Sequence, residues 1–205
     1  MSASAFSRIK ALAALAALLV SGCATMPESV DLPELTDWQT RSAVLTNLDQ
    51  WAFRGRIAVK TGDDGMNGKF DWDQSGSRFM ATVSGPLGMG TVRIAGDPGR
   101  VIHTDKEGVE TVLEDVEAEL YYRYGWTIPV ESLRFWALGV PDPALPATTI
   151  FAADGLLERM EQGGWIIDVA RYDEGGGQLM PRVLSARNAE TRVRIVIDRW
   201  SFPRR

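Results

Sequence analysis

The sequence predicts a mainly β domain: an antiparallel meander interrupted by one helical insert. Alternating apolar and polar runs recur from Trp51 to Trp200 at about 8–12-residue spacing. Turn residues fall between them, as in Gly62-Asp63-Asp64-Gly65, Ser75-Gly76-Ser77 and Asp97-Pro98-Gly99. The period changes from two to helical only ahead of the first strand and between Glu114 and Gly139.

Taken in order, residues 24–36 hold two prolines and little periodicity and read as a tether. Asp37 is placed to cap a helix over 38–48, whose Trp38, Arg41, Leu45 and Leu48 recur at helical spacing. Trp51 to Lys60 then alternates. Trp51, Phe53, Ile57 and Val59 face one way and Arg54, Arg56 and Lys60 the other, the signature of a half-buried strand. Further strands are expected at Phe70–Asp73, Phe79–Ser84, Thr91–Ala95 and Arg100–Thr104. Glu114–Tyr124 reads as a helix closed by Gly125. Pro129–Gly139 reads as a second, with proline at its start and glycine just past its end. A loop containing Pro141, Pro143 and Pro146 follows. Strands resume at about 156–160, 164–172, 182–188 and 191–200, with Glu174-Gly175-Gly176-Gly177 as a mobile turn.

The first residues address the compartment. Arg8 and Lys10 precede an apolar run from Ala11 to Val20, ten residues long and about half of what a membrane span needs. This is the layout of a secretory leader. Val20-Ser21-Gly22-Cys23 completes a lipobox, in which the cysteine sulfur is acylated and the chain is cut before it. Residues 1–22 are therefore expected to be a signal peptide, 23–36 the lipidated cysteine and tether, and 37–205 a single domain. Ala24, where aspartate would favour inner-membrane retention, points to the outer membrane. Two or three acyl chains make a stable anchor where one does not.

Composition excludes several chemistries. The 205 residues are 45% hydrophobic and 24% charged, with a net charge of −5. A core is feasible, and no basic stripe marks a nucleic-acid binder. One cysteine and one histidine, His103, exclude a disulfide framework, a Cys/His zinc site and an iron–sulfur centre. His103 has no nucleophile elbow with it and reads as a satisfied histidine. Asp71 and Asp73 read as the solvent side of their strand, as do Arg54 and Arg56 of theirs. No catalytic residue, metal or cofactor is expected.

Two features point toward apolar ligands. In Ser84-Gly85-Pro86-Leu87-Gly88-Met89-Gly90, Leu87 and Met89 sit among small residues with little local surface to pack on. They either fold back onto the core or form an exposed apolar tip. The chain also carries seven tryptophans. Alternation alone does not separate a filled sandwich from a hollow half-barrel. From strand and helix faces, a cavity would be lined by Phe53, Ile57, Phe70, Trp72, Leu133, Trp136 and Ile167.

Several short runs, in order and behind a lipobox, resemble the LolB family of outer-membrane lipoprotein receptors. They are Leu48-Asp49-Gln50-Trp51 leading into Arg54-Gly55-Arg56, Phe70-Asp71-Trp72-Asp73-Gln74, Gly85-Pro86-Leu87-Gly88, Pro129-Val130 with Leu133 and Trp136, Leu138-Gly139 before Pro141, and Met180-Pro181. The resemblance spans about residues 38–200. It implies an unclosed antiparallel β-barrel whose helices cover a hydrophobic cavity. It implies a monomeric protein that accepts triacylated lipoproteins from the periplasmic carrier LolA and places their acyl chains in outer-membrane lipid. It assigns membrane contact to Leu87, with Pro86, Gly88 and Met89 forming its loop. Arg54 and Arg56 would then suit an oppositely charged carrier. The other readings are a structural envelope lipoprotein, a binder of small lipids, and a hydrolase built around His103.

Overall fold

The computed structural model describes residues 29–85, 91–97, 99–125 and 128–203. Eleven antiparallel strands form one sheet: β1 Gln50–Thr61, β2 Asp64–Ser75, β3 Arg78–Ser84, β4 Thr91–Asp97, β5 Arg100–Thr104, β6 Glu110–Leu113, β7 Ala147–Phe151, β8 Leu157–Gln162, β9 Trp165–Gly175, β10 Gln178–Arg187 and β11 Thr191–Ser201. Helix α1 is Trp38–Thr46, α2 is Val116–Tyr124 and α3 is Val130–Ala137. The spatial order is β6-β5-β4-β3-β2-β1-β11-β10-β9-β8-β7. Two meanders are thus joined where the first strand meets the last, in a register running from Ala52 opposite Ser201 to Thr61 opposite Thr191.

This order explains the helices. The two free edges, β6 and β7, are consecutive in sequence. The chain must cross from one edge to the other without pairing them, and the crossing segment carries α2 and α3. The sheet stays unclosed because helices rather than ladder hydrogen bonds occupy the gap. Alternation then turns one face inward. In β1 every odd residue from Trp51 to Val59 is buried, while Arg54, Arg56, Ala58 and Lys60 are exposed. Gly55 marks a register shift against β11. A Cβ there would lie 2.3 Å from the Val196 carbonyl oxygen, so only glycine permits the close approach.

The helix boundaries follow their caps. Asp37 accepts from the Thr40 backbone N–H at 2.8 Å, and Asp115 caps α2 through Ala118 N–H at 3.0 Å. Gly125 ends α2 in the left-handed region at φ 75°.

The structure adds two strands to the expected set. β6 lies where no strand was expected, and β7 follows directly after the proline-rich loop. β7 is mostly exposed at the sheet's edge, so it shows no alternation to read. β2 begins at Asp64, inside the expected turn.

The end of the expected tether is not free chain. Val30 N–H donates to the Phe202 carbonyl at 2.8 Å, Leu32 N–H to the Gly176 carbonyl at 2.7 Å, and Leu32 is buried. Leu35 N–H reaches Gln178 Oε1 at 3.2 Å. The expected mobile glycine turn is the floor of this strap. Gly176 has φ 61°, and a Cβ there would sit 2.5 Å from the Phe202 ring. A side chain at that position would therefore lift the strap off.

Candidate functional site

The site is an apolar space between the inner face of the sheet and the helical crossing. Ile57 from β1, Met66, Phe70 and Trp72 from β2, Ala81 and Val83 from β3, and Val92 and Ile94 from β4 form its wall. Leu120 and Tyr124 of α2, Ile128, and Val130 and Leu133 of α3 roof it. The free volume is about 60 Å³. A cavity of about 150 Å³ accommodates one benzene, so the space is nearly filled by its own walls in this conformation.

Behind the wall stands a continuous block of rings. Trp51 stacks on Trp72 with centroids 6.1 Å apart, and Trp72 stacks on Phe79 at 5.2 Å. Phe53 meets Phe70 edge-on at 5.2 Å and Trp200 at 5.5 Å. Buried indole N–H groups are satisfied. Trp72 Nε1 donates to Gln74 Oε1 at 3.0 Å, and Trp136 Nε1 donates to Gln162 Oε1 at 2.8 Å. Gln162 also accepts from Asp142 N–H and donates to the Asp142 and Leu145 carbonyls, which uses all four of its hydrogen-bonding sites.

The polar feature of the roof is a tie between sheet and helix. His103 Nε2 and the Tyr124 hydroxyl lie 2.6 Å apart, and His103 is almost wholly buried. Its Nδ1 is buried without a hydrogen-bond partner. Burial holds the His103 pKa below its ordinary value. The nearby Arg123 acts in the same direction, and Asp105 and Glu119 act against it.

A second, wetter cleft of about 720 Å³ opens at the gap in the sheet, between Phe79, Arg100 and Val101 on one side and Trp136 and Trp165 on the other. Glu117 and Glu131 line it, and Val130 borders both spaces. Partial desolvation at the cleft raises the Glu117 carboxyl pKa, helped by Asp115 and Glu131.

Of the seven residues expected to line a cavity, Ile57, Phe70, Trp72 and Leu133 border the apolar space. Phe53 packs one layer away, on Phe70. Trp136 faces the wetter cleft, and Ile167, fully buried in β9, borders neither space. Sequence reasoning passed over Met66, Ala81, Val83, Val92, Ile94, Leu120, Tyr124, Ile128 and Val130. The alternation of Ala81 with Val83 and of Val92 with Ile94, and the helical spacing of Leu120 and Tyr124, carried the signal. Cys23, Pro86, Leu87, Gly88 and Met89 lie outside the described residues. Arg54 and Arg56 are on the outer face but already ion-paired, Arg54 with Asp73 at 3.0 Å and Arg56 with Asp198 at 3.0 Å.

The profile of the family described as "Outer membrane lipoprotein LolB" matches residues 49–200. The outer-membrane lipoprotein LolB of Alkalilimnicola ehrlichii is 33% identical over 193 residues, covering 93% of this chain and 96% of that protein. The Pseudomonas aeruginosa protein of the same name is 34% identical over 192 residues, covering 92% and 94%. Among solved structures, a LolA superfamily protein of Nitrosomonas europaea superposes with a TM-score of 0.52 at 7% identity, covering 82% of this chain and 94% of that one. At that identity the likeness speaks for the fold alone. The half-open sheet, its helical roof and the sequence match together place this chain in the LolB family of outer-membrane lipoproteins, a family of lipoprotein trafficking rather than of catalysis.

Proposed function

We propose that the protein accepts lipoproteins from the periplasmic carrier LolA, shelters their acyl chains in the apolar space under α2 and α3, and inserts them into the outer membrane without ATP. The observation that carries this reading is a space walled almost purely by apolar side chains and roofed by helices at the gap in the sheet. Acylation of Cys23, the chain's single cysteine, anchors the protein to the membrane it serves.

Energetics set the route. Each buried methylene contributes about 0.8 kcal/mol, so a lipoprotein with three long chains would face a cost on the order of tens of kcal/mol in bare water. Release between carrier and acceptor is excluded, and handover runs mouth to mouth. The fold shared with a LolA superfamily protein supports this reading. The chain has no phosphate-binding loop, and transfer runs downhill from carrier to acceptor to bilayer. The small free volume requires the roof to move before acyl chains enter. Helices can shift without breaking the sheet ladder.

The test mixes the unlipidated domain, residues 24–205, with a LolA carrier loaded with a triacylated lipoprotein. Cargo should move onto the domain without nucleotide. Cargo that stays on a demonstrably active carrier would break the reading and favour a structural or small-lipid role. Leu87 serves delivery in this scheme. One buried leucine contributes only about 1.5–3 kcal/mol, so its membrane contact is reversible. Leu87→Glu should leave uptake from the carrier near wild type and impair insertion into liposomes. Equal insertion by the mutant would remove Leu87 from the mechanism.

A further inference from the structure

The outward face of β1, β11 and β10 breaks a rule of sheet pairing. Lys60 stands directly opposite Arg192, and Arg192 directly opposite Arg187. Like charges placed opposite each other across strands destabilise a sheet. Arg194 lies two residues along β11, and Lys69 lies opposite Arg56 on the next strand. Arg187 is held by Asp168 and Arg56 by Asp198, but Lys60, Lys69, Arg192 and Arg194 form no ion pair among the described residues. Ala58, Gly68 and Ser185 leave the floor between these cations low. Two shallow depressions result, of about 470 and 360 Å³. The first is lined by Lys60, Arg187, Arg192 and Arg194, the second by Arg56, Lys69 and Arg194, and neither lining contains an acidic residue. Asp63 and Glu190 sit in the adjoining turns, and Asp64 opens β2. A basic face on a chain of net charge −5 that breaks a local rule without internal compensation is where an external anion belongs.

We infer that this face binds the anionic phospholipid headgroups of the membrane to which the protein is tethered. The inference rests on the lipid anchor at Cys23. Ser29, where the strap is already pinned to Phe202, is the sixth residue after Cys23. An extended chain of that length spans at most about 20 Å. The bilayer is therefore the partner always within reach. The strap holds the Ser201 end of β11, and the cationic row sits at the Thr191 end, about 30 Å away along the strand. With a tether of at most about 20 Å, both reach the bilayer only if the strands lie closer to the membrane plane than to its normal. That posture also brings Gly85 down, because it borders the second depression.

The three lysines after Cys23 are Lys60, Lys69 and Lys106, and they report on this directly. The lipidated protein is reconstituted in vesicles of phosphatidylcholine, with or without phosphatidylglycerol, and amine acylation is followed residue by residue by mass spectrometry. Each cation near an anionic leaflet favours contact roughly fivefold. Phosphatidylglycerol should therefore slow modification of Lys60 and Lys69 severalfold and leave Lys106 unchanged. High salt, or Arg192→Glu with Arg194→Glu, should remove the protection. Lys60 and Lys69 reacting equally fast in both vesicles would overturn the inference. So would protection that ignores lipid charge, or that appears in neutral vesicles only when a carrier protein is added. Flotation separates the two readings. A chain that does not float breaks the anchor, while protection by phosphatidylglycerol vesicles added to it would still support the face.

Discussion

Two helices roof the same apolar space, and they are held very differently. α3 buries Val130, Ser132, Leu133, Trp136 and Ala137. Its Trp136 is tied to Gln162, and its Ser132 donates to Asp142 at 2.8 Å. α2 buries Leu120 alone, leaves Tyr121 and Tyr122 exposed, and meets the sheet's His103 through Tyr124. The roof is therefore one fixed beam and one loosely held flap. Opening to admit an acyl chain should begin at α2, because lifting it uncovers little apolar surface and breaks few buried hydrogen bonds.

The largest effect should come from breaking the beam. Trp136→Ala removes a fully buried indole and should cost about 3–5 kcal/mol of global stability, read as a fall in the midpoint of denaturant unfolding. A loss no larger than that of a surface substitution would mean that α3 is as detachable as α2. A smaller and more local effect should come from the flap. Tyr124→Phe deletes the hydroxyl facing His103 Nε2 and should cost about 1 kcal/mol. Hydrogen exchange should then quicken roughly fivefold in α2, the equivalent of that energy, with α3 unchanged. Equal acceleration in both helices would show that they open as one unit.

The same asymmetry governs what could be read in advance. The sheet was legible because its inner face repeats every second residue, as from Trp51 to Val59. β6 and β7 were not, since edge strands with little burial have no alternation to display. The cavity wall was legible in part. Ile57, Phe70 and Trp72 stand out as large residues on alternating strands, whereas Ala81 and Val83 do the same work with little bulk. Trp136 and Ile167 are buried as their pattern predicts, but burial does not tell which of two spaces a side chain borders. The His103–Tyr124 tie joins residues 21 apart on a strand and a helix, and no local pattern records such a contact. Pinning of the strap escaped because it depends on an absent side chain at Gly176 rather than on a present one.

The smallest expected effect is a pH dependence of the flap, and it sharpens the comparison because α3 has no counterpart. Burial keeps His103 neutral in the folded protein by lowering its pKa below the ordinary 6.5. In the unfolded or open state the ring takes up a proton from about pH 6.5 downward. The closed state binds fewer protons there, so closure is fully stable above that pH. It weakens as pH falls below 6.5 toward the lowered value. Exchange in α2 should accelerate on mild acidification while exchange in α3 holds steady. His103→Gln keeps a group able to bond the Tyr124 hydroxyl but does not titrate in this range, so it should flatten the α2 profile. If α2 in that variant still loosens on acidification, the proton acts elsewhere. Glu117 on the same helix does not account for it, because its raised pKa makes the closed state bind more protons on acidification, which tightens α2 rather than loosening it. In that case the tie between His103 and Tyr124 would be a matter of packing alone.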